Sequence, residues 1–441
     1  MANPLIDIFR VKELRERIIF TSLMLVVFRI GAHIPIPGVN VQALNTYFLA
    51  QQDSGNAIVD YLDFFAGGAF SNFSVFMLGI MPYISMSIIM QLLLIVFPKL
   101  KKISQEEGGK KKIQKYQRFG TVGICLVQSF VVTQYAQIIM GEGVDLLSIP
   151  LLNFTIIAMI TVTTGTMFLM WIGEQITKRG IGNGISLLIF AGIVARLPQA
   201  VWELFSLVQR GELNPVFVIV VLLMFVAVVT LVVYEQQGQR KIPVNYAKRV
   251  VGRRMYSGAP NAFIPFKINP SGVIPVIFAS SILTFPIQIL SGVDAAWVRA
   301  ITSALRPNGT VYNILYVLLI VFFAYFYTQV SLNPVEISKQ IRENGGSIPG
   351  IRSDKMEDYL TKILNRIVLP GSLYLAAIAV LPSLYMFLFG FPSSVSYILG
   401  GTSLLIMVGV DLDTMSQIEG LLKMHHHDGL TRKGRLRGRN L

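Results

Sequence analysis

Residues that could do chemistry are few in this chain of 441 residues, and they form no reactive pattern. The four histidines are His33 and the consecutive His425, His426 and His427, and the single cysteine is Cys125. Zinc peptidases, serine hydrolases and nucleotide-binding loops need fixed spacings such as HExxH, GxSxG or GxxxxGK, and none stands here in a workable context. One cysteine excludes a disulfide framework and a cysteine-based metal site. The tail histidines have no further ligand nearby in sequence, which favours a solvated contact over a metal site.

Carboxylates are scarce within the apolar stretches of the chain. Asp411 and Asp413 lie near the end of the last such stretch, and Glu174 lies at the edge of the fourth. Ion-coupled transporters usually place acidic groups or histidine inside their membrane spans. The pattern therefore disfavours a membrane enzyme or a proton-coupled carrier, and we predict neither catalytic residues nor a cofactor.

The elements that carry these residues are long apolar blocks. Hydrophobic residues make up 53% of the chain and charged residues 14%, whereas soluble domains carry about 25% charged residues. Blocks of roughly 20 apolar residues match the thickness of a bilayer core. They predict ten spans, at about 18–36, 74–97, 119–139, 153–172, 183–208, 215–234, 273–292, 312–333, 366–389 and 395–415. The interval 57–73 is too short to span, which predicts a short or re-entrant helix.

The fifth block is the least regular of the ten. It holds Arg196, Pro198 and Glu203, so its apolar part is expected to end near Leu197.

Lysine and arginine predict the orientation of these spans. With the N-terminus inside, 33 of the 38 basic residues fall in cytoplasmic segments, as the positive-inside rule requires. Only Arg196, Arg210, Arg299 and Arg306 fall outside, and Arg29 lies within the first span. The same bias explains the net charge of +14 without a soluble nucleic-acid-binding domain.

The predicted fold class is an all-α integral membrane protein with two inverted halves of five spans, because an odd number of spans per half inserts the halves in opposite senses. Both termini are expected in the cytoplasm. The divisions are an uncleaved segment 1–17, a first half 18–208, a second half 215–415 with cytoplasmic loops 235–270 and 334–365, and a basic tail 416–441.

The two loops look more ordered than simple topological signals. Tyr246, Tyr256 and Phe263 interleave with basic residues, the segment KIPVNYA is strand-like, and Ile348–Arg352 forms a Pro-Gly turn. Basic loops often only set topology or contact anionic lipids. Arginine together with exposed aromatic residues favours a docking surface for protein or for an RNA backbone.

Several long motifs, in order along essentially the whole chain, resemble the SecY family of bacterial protein-conducting channels. They are RIIFT (from Arg17), FRIGAHIPIPG (to Gly38), FFAGGAFSNFSVFMLGIMPYIS (Phe64–Ser85), GEQITKRGIGNGIS (Gly173–Ser186), IPVNYAKRVVGRR (Ile242–Arg254), GVIPVIFASSI (Gly272–Ile282), SIPGIR (Ser347–Arg352) and GGTSLLIMVGVDLDT (Gly400–Thr414).

The resemblance implies ten spans around an hourglass pore with an apolar constriction. Its ring would be Ile80, Ile84, Ile185, Ile189, Ile277 and Ile406. Two of the pairs are spaced i,i+4, so each pair lies on one face of its helix. Without the resemblance, ordinary core isoleucine would be the better interpretation.

The resemblance also implies a plug and a lateral gate. The plug would be a short helix at about 61–72, with Tyr61, Phe64, Phe65, Gly67, Gly68 and Asn72. The gate would lie between spans two/three and seven/eight. Ser85, Ser87 and Gln91 could face it, although such residues as often bond between helices.

The implied partners are the SecE and SecG small subunits, the SecA ATPase, the ribosome through its RNA and proteins, membrane lipids, and the secretory and membrane proteins that are carried. The docking residues would be Arg253, Arg254 and Arg352. The location would be the bacterial plasma (inner) membrane. The family's tail usually carries polar residues and a tyrosine where this chain has His425–His427.

Two other functions compete with the channel. A ten-span transporter for a small solute would need polar or ionisable ligands at the membrane midplane, and none is apparent. A non-conducting ribosome receptor would explain the basic loops but not isoleucines distributed over four spans.

Overall fold

The computed structural model of the chain describes residues 11–51, 63, 66–141, 143–211, 214–246, 249–251, 254–256, 262–290, 296–305, 309–391, 395–397 and 400–432. The chain divides into two compact units. Unit 1 comprises Met1–Glu203, Gln288–Arg299 and Ile406–Leu441, and unit 2 comprises Leu204–Ile287 and Ala300–Leu405.

Long helices form most of both units. In chain order they are α1 (Lys12–Gly31), α2 (Val41–Gln51), α3 (Met81–Val96), α4 (Pro98–Gln105), α5 (Gly109–Gly141), α6 (Leu151–Arg179), α7 (Gly184–Gln209), α8 (Pro215–Gln237), α9 (Ile274–Leu290), α10 (Ala296–Ala304), α11 (Thr310–Ser331), α12 (Pro334–Glu343), α13 (Met356–Phe389) and α14 (Thr402–Arg432). In unit 1, α5 packs against α3, α4 and α6, and α1 packs against α6. In unit 2, α13 packs against α8, α11 and α12.

The short strands lie in unit 2 and pair in antiparallel fashion. They are β1 (Gln239–Pro243), β2 (Asn245–Tyr246), β3 (Arg249–Val251), β4 (Arg254–Tyr256), β5 (Phe263–Lys267) and β6 (Gly346–Ser347). β1 pairs with β5, β2 with β6 and β3 with β4. The strand predicted at KIPVNYA is confirmed by β1 and β2.

The described residues contain seven helices that are long and apolar enough to cross a membrane. The count becomes eight if α3 and α4, which meet at a bend of 103°, form one broken span. α9 provides a shorter apolar helix over Ile274–Thr284, and α1 carries charges at both ends. All ten predicted intervals overlap a helix, so the multi-span helical class is confirmed, while the count of ten stays a prediction.

The outer surface of α8 shows why the chain needs a bilayer. Leu223 and Val226 on this helix are 67% and 60% exposed, and Tyr234 at its end is 81% exposed. A soluble protein rarely exposes a continuous apolar face of this size. A lipid environment accommodates this apolar face, because a helix satisfies its backbone hydrogen bonds internally and presents only apolar side chains to the hydrocarbon.

Two predicted boundaries are wrong, both because of glycine. The second span was expected over 74–97, but its helix begins at Met81, since Gly79 has φ +57° and residues 67–80 form turns. The predicted plug helix does not continue from Gly67 to Asn72, because Gly67 and Gly68 have φ of +65° and +89°. A left-handed backbone cannot propagate a right-handed helix. The plug residues Tyr61, Phe64 and Phe65 lie outside the described residues.

The interval 334–365, predicted as a loop, is largely helical. The Asn333 side chain accepts a hydrogen bond of 3.1 Å from the Val335 amide and so caps α12, with Pro334 at its first position. An asparagine cap followed by proline is a strong helix start. α13 then begins at Met356 and continues into the membrane-spanning part of the chain.

Candidate functional site

The two basic loops of unit 2 form one surface, which we call the loop platform: β1, β2, β5, β6, α12 and the turn 348–352. Asn245 and Tyr246 from the first loop pair with Ser347 and Gly346 from the second. A hydrogen bond of 3.4 Å from the Ser347 hydroxyl to the Asn245 carbonyl adds to this pairing. The two loops therefore hold each other in place.

A small hydrophobic core supports the loop platform. Its members come from both loops and from the start of α13: Ile242, Val244, Phe266, Ile341, Ile348, Met356, Leu360, Ile363, Leu364 and Ile367. Met356 and Leu360 are 1% and 0% exposed. Burial of this kind contributes about 1.5–3 kcal/mol per large side chain. The platform is thus a packed structure rather than a pair of flexible loops.

The outer face of the platform is basic and partly aromatic. Arg240, Lys241 and Lys267 are exposed on the β1–β5 hairpin. The Lys241 Nζ lies 4.8 Å from the centre of the exposed Phe263 ring, within the range of a cation–π contact. This face can attract anions and also bind an apolar group.

The turn predicted at Ile348–Arg352 is confirmed. Gly350 has φ +78°, and the Ile351 amide donates to the Ile348 carbonyl at 3.1 Å. Ile348 is buried, so it anchors the turn, and Arg352 is exposed at its end. Arg254 lies on β4, and Arg253 falls outside the described residues.

A groove of about 430 Å³ opens beside the hairpin. Its apolar walls include Phe266, Leu332, Ile337 and Ile341, and Lys267 lies at its edge. A groove of this size can hold one or two apolar side chains of a partner.

The isoleucines predicted to form a ring are divided between the units. Ile80, Ile84, Ile185, Ile189 and Ile406 belong to unit 1, and Ile277 belongs to unit 2. The Ile84 amide donates to the Ile80 carbonyl at 3.2 Å, so this pair occupies the first turn of α3. Ile185 and Ile189 occupy the first turns of α7, and Ile406 lies near the start of α14. Their ring stays a prediction.

Two polar residues of α3 bond to each other along their own helix. The Gln91 amide donates to the Ser87 hydroxyl at 3.5 Å, and Ser85 is buried. Bonds of this i,i+4 type reduce the need for a partner on another helix. The lateral-gate role of these residues stays a prediction.

Sequence reasoning missed a buried charge network around the turn of residues 66–71. Asp63 forms an ion pair with Arg196 of α7, and these side chains are 5% and 17% exposed. Asp63 also accepts hydrogen bonds from the Phe70 and Ser71 amides at 3.0 and 2.9 Å. Arg29 of α1 donates to the Gly67 carbonyl at 2.8 Å. A signal was available, since a charged residue within a span needs a partner.

The loop between α6 and α7 is fixed by both ends of the chain. The Ile181 amide donates to the Thr21 hydroxyl at 3.1 Å, and the Gly182 amide donates to Gln417 Oε1 at 2.9 Å. Leu14 and Ile181 form a small core here with α14 residues such as Ile418. These contacts tie α1, α7 and α14 together within unit 1.

No group of three or more metal-binding side chains occurs in the part of the chain that the structure describes. His425, His426 and His427 lie on the helical backbone of α14.

Comparison with known proteins decides the family. The SecY family model matches residues 74–415 of the chain. The protein translocase subunit SecY of Borreliella burgdorferi is 48% identical over 427 residues, which cover 96% of each protein. The chain belongs to the SecY family. The SecY protein of Aquifex aeolicus is 41% identical and is covered over its whole length, with 98% of this chain matched.

Solved structures share the fold of this SecY-family chain. One described as a protein-conducting channel matches with a TM-score of 0.62 at 20% identity, covering 92% of both chains. A SecY structure whose plug domain is described as stabilising the closed state matches with a TM-score of 0.60 at 19% identity over 92% of both chains. Sec61 in a canine ribosome–channel complex matches with a TM-score of 0.59 at 19% identity, also over 92% of both chains. The SecY resemblance in the sequence motifs is therefore confirmed.

Proposed function

We propose that the chain is the channel-forming subunit of a protein translocase, which passes unfolded polypeptides across the membrane and releases apolar segments sideways into lipid. The observation that carries this is near full-length identity of 48% to a translocase subunit. The fold supports it, since similar chains are described as protein-conducting channels.

The pore would be sealed by the six isoleucines. An ion loses its hydration shell in a narrow apolar constriction, and this loss is costly because hydrocarbon offers no compensating ligand. The same side chains contact a passing polypeptide without binding any particular sequence. Isoleucines at the starts of α3, α7, α9 and α14 support such a ring.

The 66–71 turn and the residues before it would form the plug beneath this ring. Its left-handed glycines allow a compact turn. A family member whose plug domain is described as maintaining a membrane seal supports this role.

Sideways release would occur past α3. This exit would be lined by Ser85, Ser87 and Gln91. Their polar groups would let a substrate helix exchange between the pore and the lipid without binding tightly to α3. An apolar segment gains about 0.8 kcal/mol for each CH₂ that it buries in lipid, so sufficiently apolar segments leave the pore.

The driving force would come from partners on the loop platform. The basic face of the platform, with Arg352 and Lys241, suits ribosomal RNA, as do Arg253 and Arg254 in the same loop as Lys241. The adjoining groove and exposed Phe263 suit the SecA ATPase. Sec61 bound to a ribosome supports the first of these partners. SecE and SecG would complete the complex.

The protein would lie in the bacterial plasma membrane with both termini and the loop platform in the cytoplasm. The distribution of 33 of 38 basic residues supports this orientation. Cysteine substitutions at exposed positions, treated with an impermeant thiol reagent on intact cells, would test it.

Reconstitution tests the proposed function. The chain is purified with its small subunits, placed in liposomes, and supplied with SecA, ATP and an unfolded secretory protein. We expect the substrate to become protected from added protease only when ATP is present. Equal protection without ATP, or none in either case while the complex stays assembled, would overturn the proposal.

A further inference from the structure

Two arginines lie inside helices of unit 1 where a channel would offer few partners. Arg29 is in the last turn of α1, and Arg196 lies within α7. A charged side chain at membrane depth is strongly unfavourable unless it is paired. Both arginines contact the same segment, which consists of Asp63 and residues 66–71.

The contacts fix this segment at three points. Asp63 is paired with Arg196 and also closes its own turn through the Phe70 and Ser71 amides. The Arg29 guanidinium holds the Gly67 carbonyl on the α1 side. A Cβ added to Gly67 would lie 2.6 Å from the Gly192 Cα, so the turn packs backbone to backbone on α7. These contacts together hold the segment in one position against α1 and α7.

We infer that the Asp63–Arg196 ion pair, with Arg29, is the positioning device that keeps the 66–71 turn in place and sets how readily the channel opens. The inference rests on the proposed channel function. The pair acts through the turn that Asp63 closes.

The burial of the site gives the pair its strength, because the Asp63 and Arg196 side chains are only 5% and 17% exposed. Two charges in contact attract far more strongly in a protein interior than in water. Separating them there leaves a buried charge without compensation, which is strongly unfavourable. Once a polypeptide and water enter, each charge is hydrated, so the turn is released only as the pore becomes wet. An apolar contact in place of the ion pair would not link the entry of water to release of the turn, because it has no charges for water to hydrate.

Hydrogen exchange on the complete complex in lipid nanodiscs tests the positioning role. We expect Asp63→Asn and Arg196→Gln each to speed amide exchange of residues 66–71 by at least about tenfold, because breaking a buried pair increases the open population. The double variant should exchange no faster than the faster single variant, since residues that act as a pair are not additive. Arg210→Gln, an exposed arginine on the same chain, is the matched control.

Ion conductance of the idle complex in planar bilayers tests the consequence. Both single variants should leak more than wild type. Exchange equal to the Arg210→Gln control, or multiplicative effects in the double variant, would overturn the ion-pair role. Faster exchange without leak would overturn the gating role if an asparagine variant of the isoleucine ring leaks in the same bilayers. If the ring variant is also tight, the channel assignment itself fails and the inference with it.

Discussion

A variant with asparagine at four isoleucine positions distinguishes a pore ring from an ordinary hydrophobic core. The positions are Ile84, Ile189, Ile277 and Ile406. Ile84, Ile189 and Ile406 are 6%, 5% and 1% exposed. In an ordinary core each change would lose about 1.5–3 kcal/mol of apolar burial and would bury an amide at about 1–3 kcal/mol. Three such sites would lower the free energy of unfolding by at least about 7.5 kcal/mol, which is comparable to the usual total stability of about 5–15 kcal/mol.

A pore ring predicts a different result. The new amides would then meet water in the channel, so the complex should fold, keep its small subunits and conduct ions at rest. Single-channel recording in planar bilayers measures the leak, and size-exclusion chromatography measures assembly. The matched control replaces the same four residues with leucine, which keeps volume and apolarity and should stay tight. An asparagine variant that aggregates, or one that assembles and stays as tight as wild type, would refute the ring.

Three further predictions concern the loop platform and the arginine pair Arg253 and Arg254. Arg352→Glu should reduce SecA-driven transport into vesicles while leaving membrane insertion of the protein intact, and normal ATP-driven transport would contradict its docking role. Reversing Arg253 and Arg254 to glutamate should weaken ribosome binding, and wild-type binding in a sedimentation assay should fall steeply with salt; salt-independent binding would exclude a phosphate contact. Gly346→Ala should impair transport as Arg352→Glu does without changing charge, because the added Cβ would lie 2.9 Å from Ile341 and 3.0 Å from Tyr246; Gly420→Ala, which meets no atom within 4 Å, is the control and should behave as wild type.

The parts of the fold that could be predicted are those with local signals. Apolar blocks of membrane length identified the helices, because span length depends only on bilayer thickness. The Pro-Gly turn before Arg352 and the strand at KIPVNYA also follow from short residue patterns. The start of α3 was misplaced, since Gly79 interrupts an apolar run whose hydropathy alone looks continuous.

The parts that could not be predicted depend on residues far apart in the chain. A charged residue within a span signals that it needs a partner, but no local pattern identifies Asp63 as the partner of Arg196, because the two meet only in the fold. The pairing of Tyr246 with Gly346 likewise has no local pattern, because each strand is only two residues long. Their partners are determined by the packing of α12 and α13 beneath them.

The bond between Gly182 and Gln417 has a consequence for biosynthesis. These residues are 235 positions apart, and α14 contributes the apolar residues that cover Ile181. A nascent chain that has completed α7 therefore still exposes this amide and this side chain. The packing of unit 1 can be completed only after almost the whole polypeptide has left the ribosome. Chains that end before α14 would keep this amide and this apolar side chain exposed.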